Sequence, residues 1–129
     1  MRHPSRDRGS STVEFVLVSV LVLALFLLVL QVAFVLHTRN VLVASAQDGA
    51  RYGANADRAA GDAEQRTRSV LADALSPAAA ARMQYDAQEV VVAGRTAMRV
   101  TVTGPLPVVF LPAGPLTVTV RGHALEERR

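Results

Sequence analysis

Hydrophobic positions along this 129-residue chain fall into three regimes. From Phe15 to Leu36 they are continuous: 22 residues carry no charge, and only Ser19 and Gln31 are clearly polar. A helix made of this run would span roughly 33 Å at about 1.5 Å per residue, enough to cross a hydrocarbon core of about 30 Å. The second regime is helical and built from small residues. Ala46, Gly49, Ala50, Gly53 and Ala54 recur at i, i+3, i+4, i+7 and i+8, while Gln47, Arg51, Asn55 and Arg58 take another face. Nothing in His37-Thr38-Arg39-Asn40 breaks a helix, so one long helix is predicted to continue to about Asn55. In the third regime, after Glu89, the period falls to two.

Between the second and third regimes a second helix is predicted. Gly61 interrupts the pattern, Asp62 is placed to cap, and Gln65 stands at the capping-box position. Ala63, Thr67, Val70, Leu71 and Ala74 form its inner stripe, with Glu64 and Arg68 as an outward i, i+4 ion pair. Ser76-Pro77 ends it, and the Ala78–Ala81 tract is long enough for one more turn. Strands are predicted at Glu89–Val92, before the turn signal Ala93-Gly94, and where Met98, Val100 and Val102 alternate with Arg99, Thr101 and Thr103. A third is predicted where Leu116, Val118 and Val120 alternate with Thr117, Thr119 and Arg121. Alternation implies one buried and one wet face. The expected fold class is α+β: a long N-terminal transmembrane helix continuing into a small domain with a second helix and a short antiparallel sheet. The expected divisions are a basic leader at 1–9, the extended helix at 10–56 and the small domain at 57–129.

Gly104 to Pro115 holds four prolines, which argue against a central strand there. Within it Val108, Val109, Phe110 and Leu111 form an apolar patch on a stiff loop. The patch reads either as a lid over the small core or as a contact for a partner subunit or the membrane surface. The small-xxx-small pair Gly49 and Gly53 is likewise open to two readings: packing on neighbouring helices in an assembly, or packing within the chain.

Charge adds direction. The formal net charge is +3 and every basic residue is Arg, but after residue 40 the arginines are mixed with acids such as Asp48, Asp57, Asp62 and Glu64. That is a solvated surface, and no nucleic-acid partner is expected. There is no cysteine, so disulfide and thiolate chemistry are excluded. His3, His37 and His123 lack metal-ligand spacing, and no phosphate-binding glycine motif is present. No catalytic centre and no cofactor are expected. Arg2, Arg6 and Arg8 precede the apolar run, so the positive-inside tendency keeps this end in the cytoplasm and exports the small domain.

Ser11-Thr12-Val13-Glu14 fits a capping box, with Ser11 as N-cap and Glu14 at N3, and that alone would account for the acid. A second reading joins Glu14 to Gly9. A cut after Gly9 would make Ser10 the first residue and Glu14 the fifth, placing a new amine and a carboxylate at one end of an apolar helix. Charges beside lipid are costly unless paired. In a helical stack, the carboxylate of one subunit would neutralise the amine of its neighbour and set their stagger. Two other readings of the anchor stand beside this one. One is a secretory signal cut at Ala44-Ser45-Ala46, although the apolar run is longer than such segments. The other is an unprocessed single span whose exported domain binds a partner.

Gly9-Ser10-Ser11-Thr12-Val13-Glu14-Phe15, with the run behind it, resembles the processing site of type IV prepilins and pseudopilins. It is most similar to TadE-like minor pilins (pseudopilins) of the tight-adherence (Tad/Flp) pilus system. Phe15 stands where Flp-type pilins usually carry Tyr, which favours a TadE-like protein over a major pilin. Ala46-Gln47-Asp48-Gly49-Ala50-Arg51-Tyr52-Gly53 also resembles the Glu-Gly-Ala-Arg-Tyr-Ala signature of TadE-like proteins, with Asp48 for Glu and Gly53 for Ala. The resemblance implies a non-enzymatic pilus component in the bacterial cell membrane. Gly9 and Ser10 would flank the cut of a prepilin peptidase, and Glu14 and Phe15 would serve subunit assembly. The implied partners are the membrane, that peptidase, other pilins or pseudopilins, and Tad assembly proteins.

Overall fold

The computed structural model describes residues 7–55, 57–107, 114 and 116–126. The apolar run and the Ala/Gly stripe lie in one helix, α1 (Asp7–Gly53), whose 47 residues extend about 70 Å at 1.5 Å per residue. Ser11 and Glu14 therefore lie inside a helix that begins at Asp7, and the capping box expected there does not form.

The remaining elements are α2 (Ala60–Ala74), a single turn α3 (Pro77–Ala81), β1 (Gln84–Val92), β2 (Arg95–Pro105) and β3 (Thr117–Leu125). The class is α+β, as expected. The cap of α2 falls three residues earlier than expected. Its N-cap is Ala59, and the Asp62 carboxylate reaches back to accept from the Ala59 N–H at 3.0 Å, so Asp62 serves from the third helical position. Gly61 lies within the first turn, exposed and with open space around it. Ser76 caps α3, its hydroxyl accepting from the Ala79 N–H at 3.1 Å, with Pro77 at the first helical position.

The sheet is antiparallel in the order β1-β2-β3. The β1–β2 hairpin turns on Ala93 and Gly94, whose φ angles of 50° and 75° are those of a tight primed turn. β1 starts at Gln84, five residues before the expected strand. Gln84, Asp86 and Gln88 alternate with Tyr85 and Ala87, a period-two pattern without bulky aliphatics. Pro105 belongs to the central strand after all. Register explains how: β1 ends its pairing at Gln84↔Thr103, so Pro105 pairs only with Thr117 of β3 and sits at a local edge.

Among the described residues only one face of the sheet is covered by helices. The upper part of α1 packs on β3 and β2, and α2 packs on α1 and β1. The core between them holds Leu42, Ala46, Ala50, Ala63, Leu71, Met98, Val100, Val102 and Val120. The registers Val102↔Tyr85, Val100↔Gly122 and Val102↔Val120 put these strand residues on the helix side. The opposite face carries polar rows such as Thr103 beside Thr119, their hydroxyls 3.1 Å apart, and Arg99 donating to His123 Nε2 at 3.0 Å.

Candidate functional site

The lower part of α1 has no covered face. Every residue from Gly9 to Phe26 is exposed, including Phe15 at 72% and Leu21 at 69%. A helix that is apolar all round needs an apolar surround. The span is the one described helix long and apolar enough to cross a membrane. Its polar side chains are satisfied without water. Ser19 donates to the Phe15 carbonyl at 2.8 Å, and Gln31 donates to the Pro107 carbonyl at 2.9 Å. Gly9, Ser10, Glu14 and Phe15 all lie on this exposed helix, and nothing stands within 4 Å of where a Gly9 Cβ would be.

From Leu27 one stripe becomes covered: Leu27, Gln31, Val35, Thr38, Leu42, Ser45 and Ala46, Gly49 and Ala50, then Gly53. Here size is decisive. A Cβ on Gly49 would run into the Thr67 hydroxyl and lie 2.8 Å from the Ala63 carbonyl oxygen. One on Gly53 would lie 2.6 Å from the Ala63 Cβ and 3.2 Å from Met98. Both glycines thus face α2 of their own chain, and α2 covers them. Polar residues beside the two glycines complete the joint. Asp48 accepts from Arg66 Nε at 2.7 Å, and the Tyr52 ring lies under Arg58 at 4.7 Å and Arg66 at 5.8 Å. The stretch from Asp48 to Gly53 docks α1 onto α2. Ala44-Ser45-Ala46 lies in the same region, with Ser45 and Ala46 buried in the core. A cut there would sever the folded domain.

The end of the domain nearest the apolar run is closed by the Gln31–Pro107 bond. Just above it is a cavity of about 210 Å³, lined by Thr38 of α1, Leu75, Ala79, Arg82, Met83 and Leu106 among others. Arg82 is exposed, and among the described residues no carboxylate pairs with it. The apolar patch Val108, Val109, Phe110 and Leu111 lies outside the described residues.

The geometry gives α1 two duties, an apolar span below and a docking rail above. In a comparison with protein families, the model of the family described as TadE-like protein matches residues 9–51, which takes in both parts of α1. Over residues 9–51 the chain is similar to TadE-like proteins. The match starts at the glycine proposed for the cut and ends within the docking stretch, covering one third of the chain. It takes in Glu14, Phe15 and Gly49, while Gly53 falls just beyond it. Together, the TadE-like segment and its apolar helix fit a membrane protein associated with the Tad pilus. No curated protein and no solved structure matches the chain.

Several residues that hold α1 to the small domain have no part in the motifs read from sequence. A Cβ on Gly122 would collide with the backbone of Ala46 and Gln47, so α1 lies directly on β3 at that glycine. An isolated glycine inside an alternating strand is the signal for such an approach. Glu64 does not form the expected outward pair with Arg68. Its carboxylate accepts from the Ala87 N–H at 3.0 Å on the edge of β1, while Arg68 lies over the Tyr85 ring at 5.0 Å. The Tyr85 hydroxyl donates to the Ala80 carbonyl at 2.7 Å, and desolvation raises its pKa, opposed by the nearby Arg68.

Proposed function

We propose that this protein is a TadE-like pseudopilin or minor pilin, a membrane-anchored structural or assembly component of a tight-adherence pilus. Its N-terminus is cytoplasmic and its α+β domain extracytoplasmic. A prepilin peptidase removes the segment up to Gly9, and the chain is that enzyme's substrate rather than an enzyme itself. Glu14 then pairs with the new amine of a neighbouring pilin or pseudopilin, and the apolar helix packs in the assembly. The observation that carries this reading is the lower half of α1: apolar, uncovered on every face, and preceded by Gly9 and Glu14 at the required spacing.

A second reading is an unprocessed single-span envelope protein with a partner-binding domain. It is favoured by one feature: the Gly9–Ser10 bond lies inside regular helix, which a protease must unwind. The N-terminus of the mature protein, read with and without a prepilin peptidase, separates the two. Ser10 as first residue, only when the peptidase is present, is the expected result; Met1 in both cases supports the unprocessed anchor. Glu14→Ala is expected to leave insertion intact and weaken subunit association. Unchanged assembly would reduce Glu14 to a solvated helix residue.

A further inference from the structure

The small domain does not stand clear of the membrane. Among the described residues only Phe15 to Phe26 is both free of charge and uncovered on every face, which is about 18 Å of helix at 1.5 Å per residue. A hydrocarbon core of about 30 Å therefore extends past Leu27, where the domain already covers one stripe of α1. If the core begins at Phe15, about 20 residues carry it to near Phe34, and Thr38 follows about 6 Å beyond, within the headgroup layer. The cavity lined by Thr38, Leu75, Ala79, Met83 and Leu106 then opens at headgroup height, with Arg82 on its wall.

We propose that this membrane-facing cavity holds an anionic phospholipid of the adjacent leaflet, its phosphate on Arg82 and its glycerol region against Leu75, Met83 and Leu106. The proposal rests on the membrane-anchored reading of α1. The chemistry is complementary on both counts. Among the described residues Arg82 has no carboxylate partner, and a guanidinium suits a phosphate with two parallel hydrogen bonds. The other walls are mostly apolar, and a volume of about 210 Å³ suits a glycerophosphate region rather than a whole lipid. The device would fix the height and tilt of the domain on the membrane.

The test uses the full chain in lipid nanodiscs containing a minority of phosphatidylglycerol in phosphatidylcholine. Lipids retained on the protein are counted by native mass spectrometry. Wild type is expected to retain phosphatidylglycerol preferentially. Arg82→Gln should cut that preference about fivefold, which corresponds to the ~1 kcal/mol contributed by one basic residue at an anionic surface. Arg121→Gln, on the uncovered sheet face, should leave it unchanged. Ala79→Leu fills the cavity and should also reduce retention, with circular dichroism checking that the fold survives. Equal retention by Arg82→Gln and wild type, or no preference in wild type, overturns the proposal. So does displacement of the lipid by soluble glycerol phosphate, which would mark a free-phosphate site. Alkaline washing of membranes keeps the two levels apart. A chain that washes off refutes the anchor itself, whereas a chain that stays but shows no lipid preference refutes only the lipid site.

Discussion

The lower and upper parts of α1 are one helix in two environments. From Phe15 to Phe26 the residues are Val, Leu and Phe apart from Ser19 and Ala24, uncovered on every face. Above Leu27 they thin to Ser, Ala and Gly along the stripe that meets β3 and α2. Below, bulk and apolarity are what an apolar surround selects, and the exact shape of each side chain matters little. Above, backbone must approach backbone, and shape decides. Gly122 lies against the peptide of Ala46, and Gly49 against Thr67 and the Ala63 carbonyl. Hydrophobicity therefore drops along α1 as burial within the protein rises. A hydropathy profile alone would place the core at the wrong end.

Substitutions that test packing should separate the two parts. Gly122→Leu is expected to have the largest effect. It drives a side chain into the α1 backbone and should destabilise the domain by about 3 kcal/mol or more, at or above the upper end of the usual overpacking range. Urea unfolding that stays within ~0.5 kcal/mol of wild type would mean α1 does not lie on β3. Next comes one substitution made twice. Leu42→Ala, at a fully buried position, should cost about 2–5 kcal/mol, whereas Leu21→Ala should leave domain stability within about 0.5 kcal/mol. Equal costs would erase the distinction between the two parts.

Smaller effects sharpen the docking joint. Asp48→Asn removes an ion pair whose side chains are 47% and 44% exposed, and should cost about 0.2–1 kcal/mol, diminishing in high salt. The smallest effect concerns Tyr85. Burial raises its pKa above the ordinary 10.0, so the folded state favours the neutral phenol. Its contribution is present below the ordinary value and is lost as pH rises through the raised one. Denaturation curves should lose stability in that alkaline range, and Tyr85→Phe should flatten this part of the profile.

The sequence made α1 legible because both of its patterns are local: an unbroken apolar run, then small residues at helical spacing. The hairpin at Ala93-Gly94 and the alternation in β2 were equally readable. What escaped depended on partners distant in sequence. The pattern predicts only the Glu89–Val92 end of β1, yet Val91 is 75% exposed and the packed part is Tyr85 and Ala87. Asp62 and Glu64 were assigned local duties from helix spacing, but Glu64 serves the edge of β1 and Asp62 an N-cap three residues earlier. Pro105 was excluded from the central strand by a rule that holds only where both neighbours are present. At the candidate site, Gly9 and Glu14 were readable as a spaced pair, whereas the cavity beside Arg82 joins α1, β2 and the α2–α3 corner and has no local signature.

The division of α1 is best tested by cysteine scanning, for which the chain is already free of cysteine. Single cysteines from Val13 to Gly53 would be spin-labelled in a monomeric, lipid-reconstituted protein, and their collision rates with oxygen and with a water-soluble relaxant measured. Positions up to Phe26 should show high oxygen access with no helical period. From Leu27 onward a period of about 3.6 should emerge, with Thr38, Leu42, Ala46 and Gly49 protected from both reagents and Arg39, Gln47 and Arg51 open to water. A helical period below Phe26, or none above Leu27, would contradict the account.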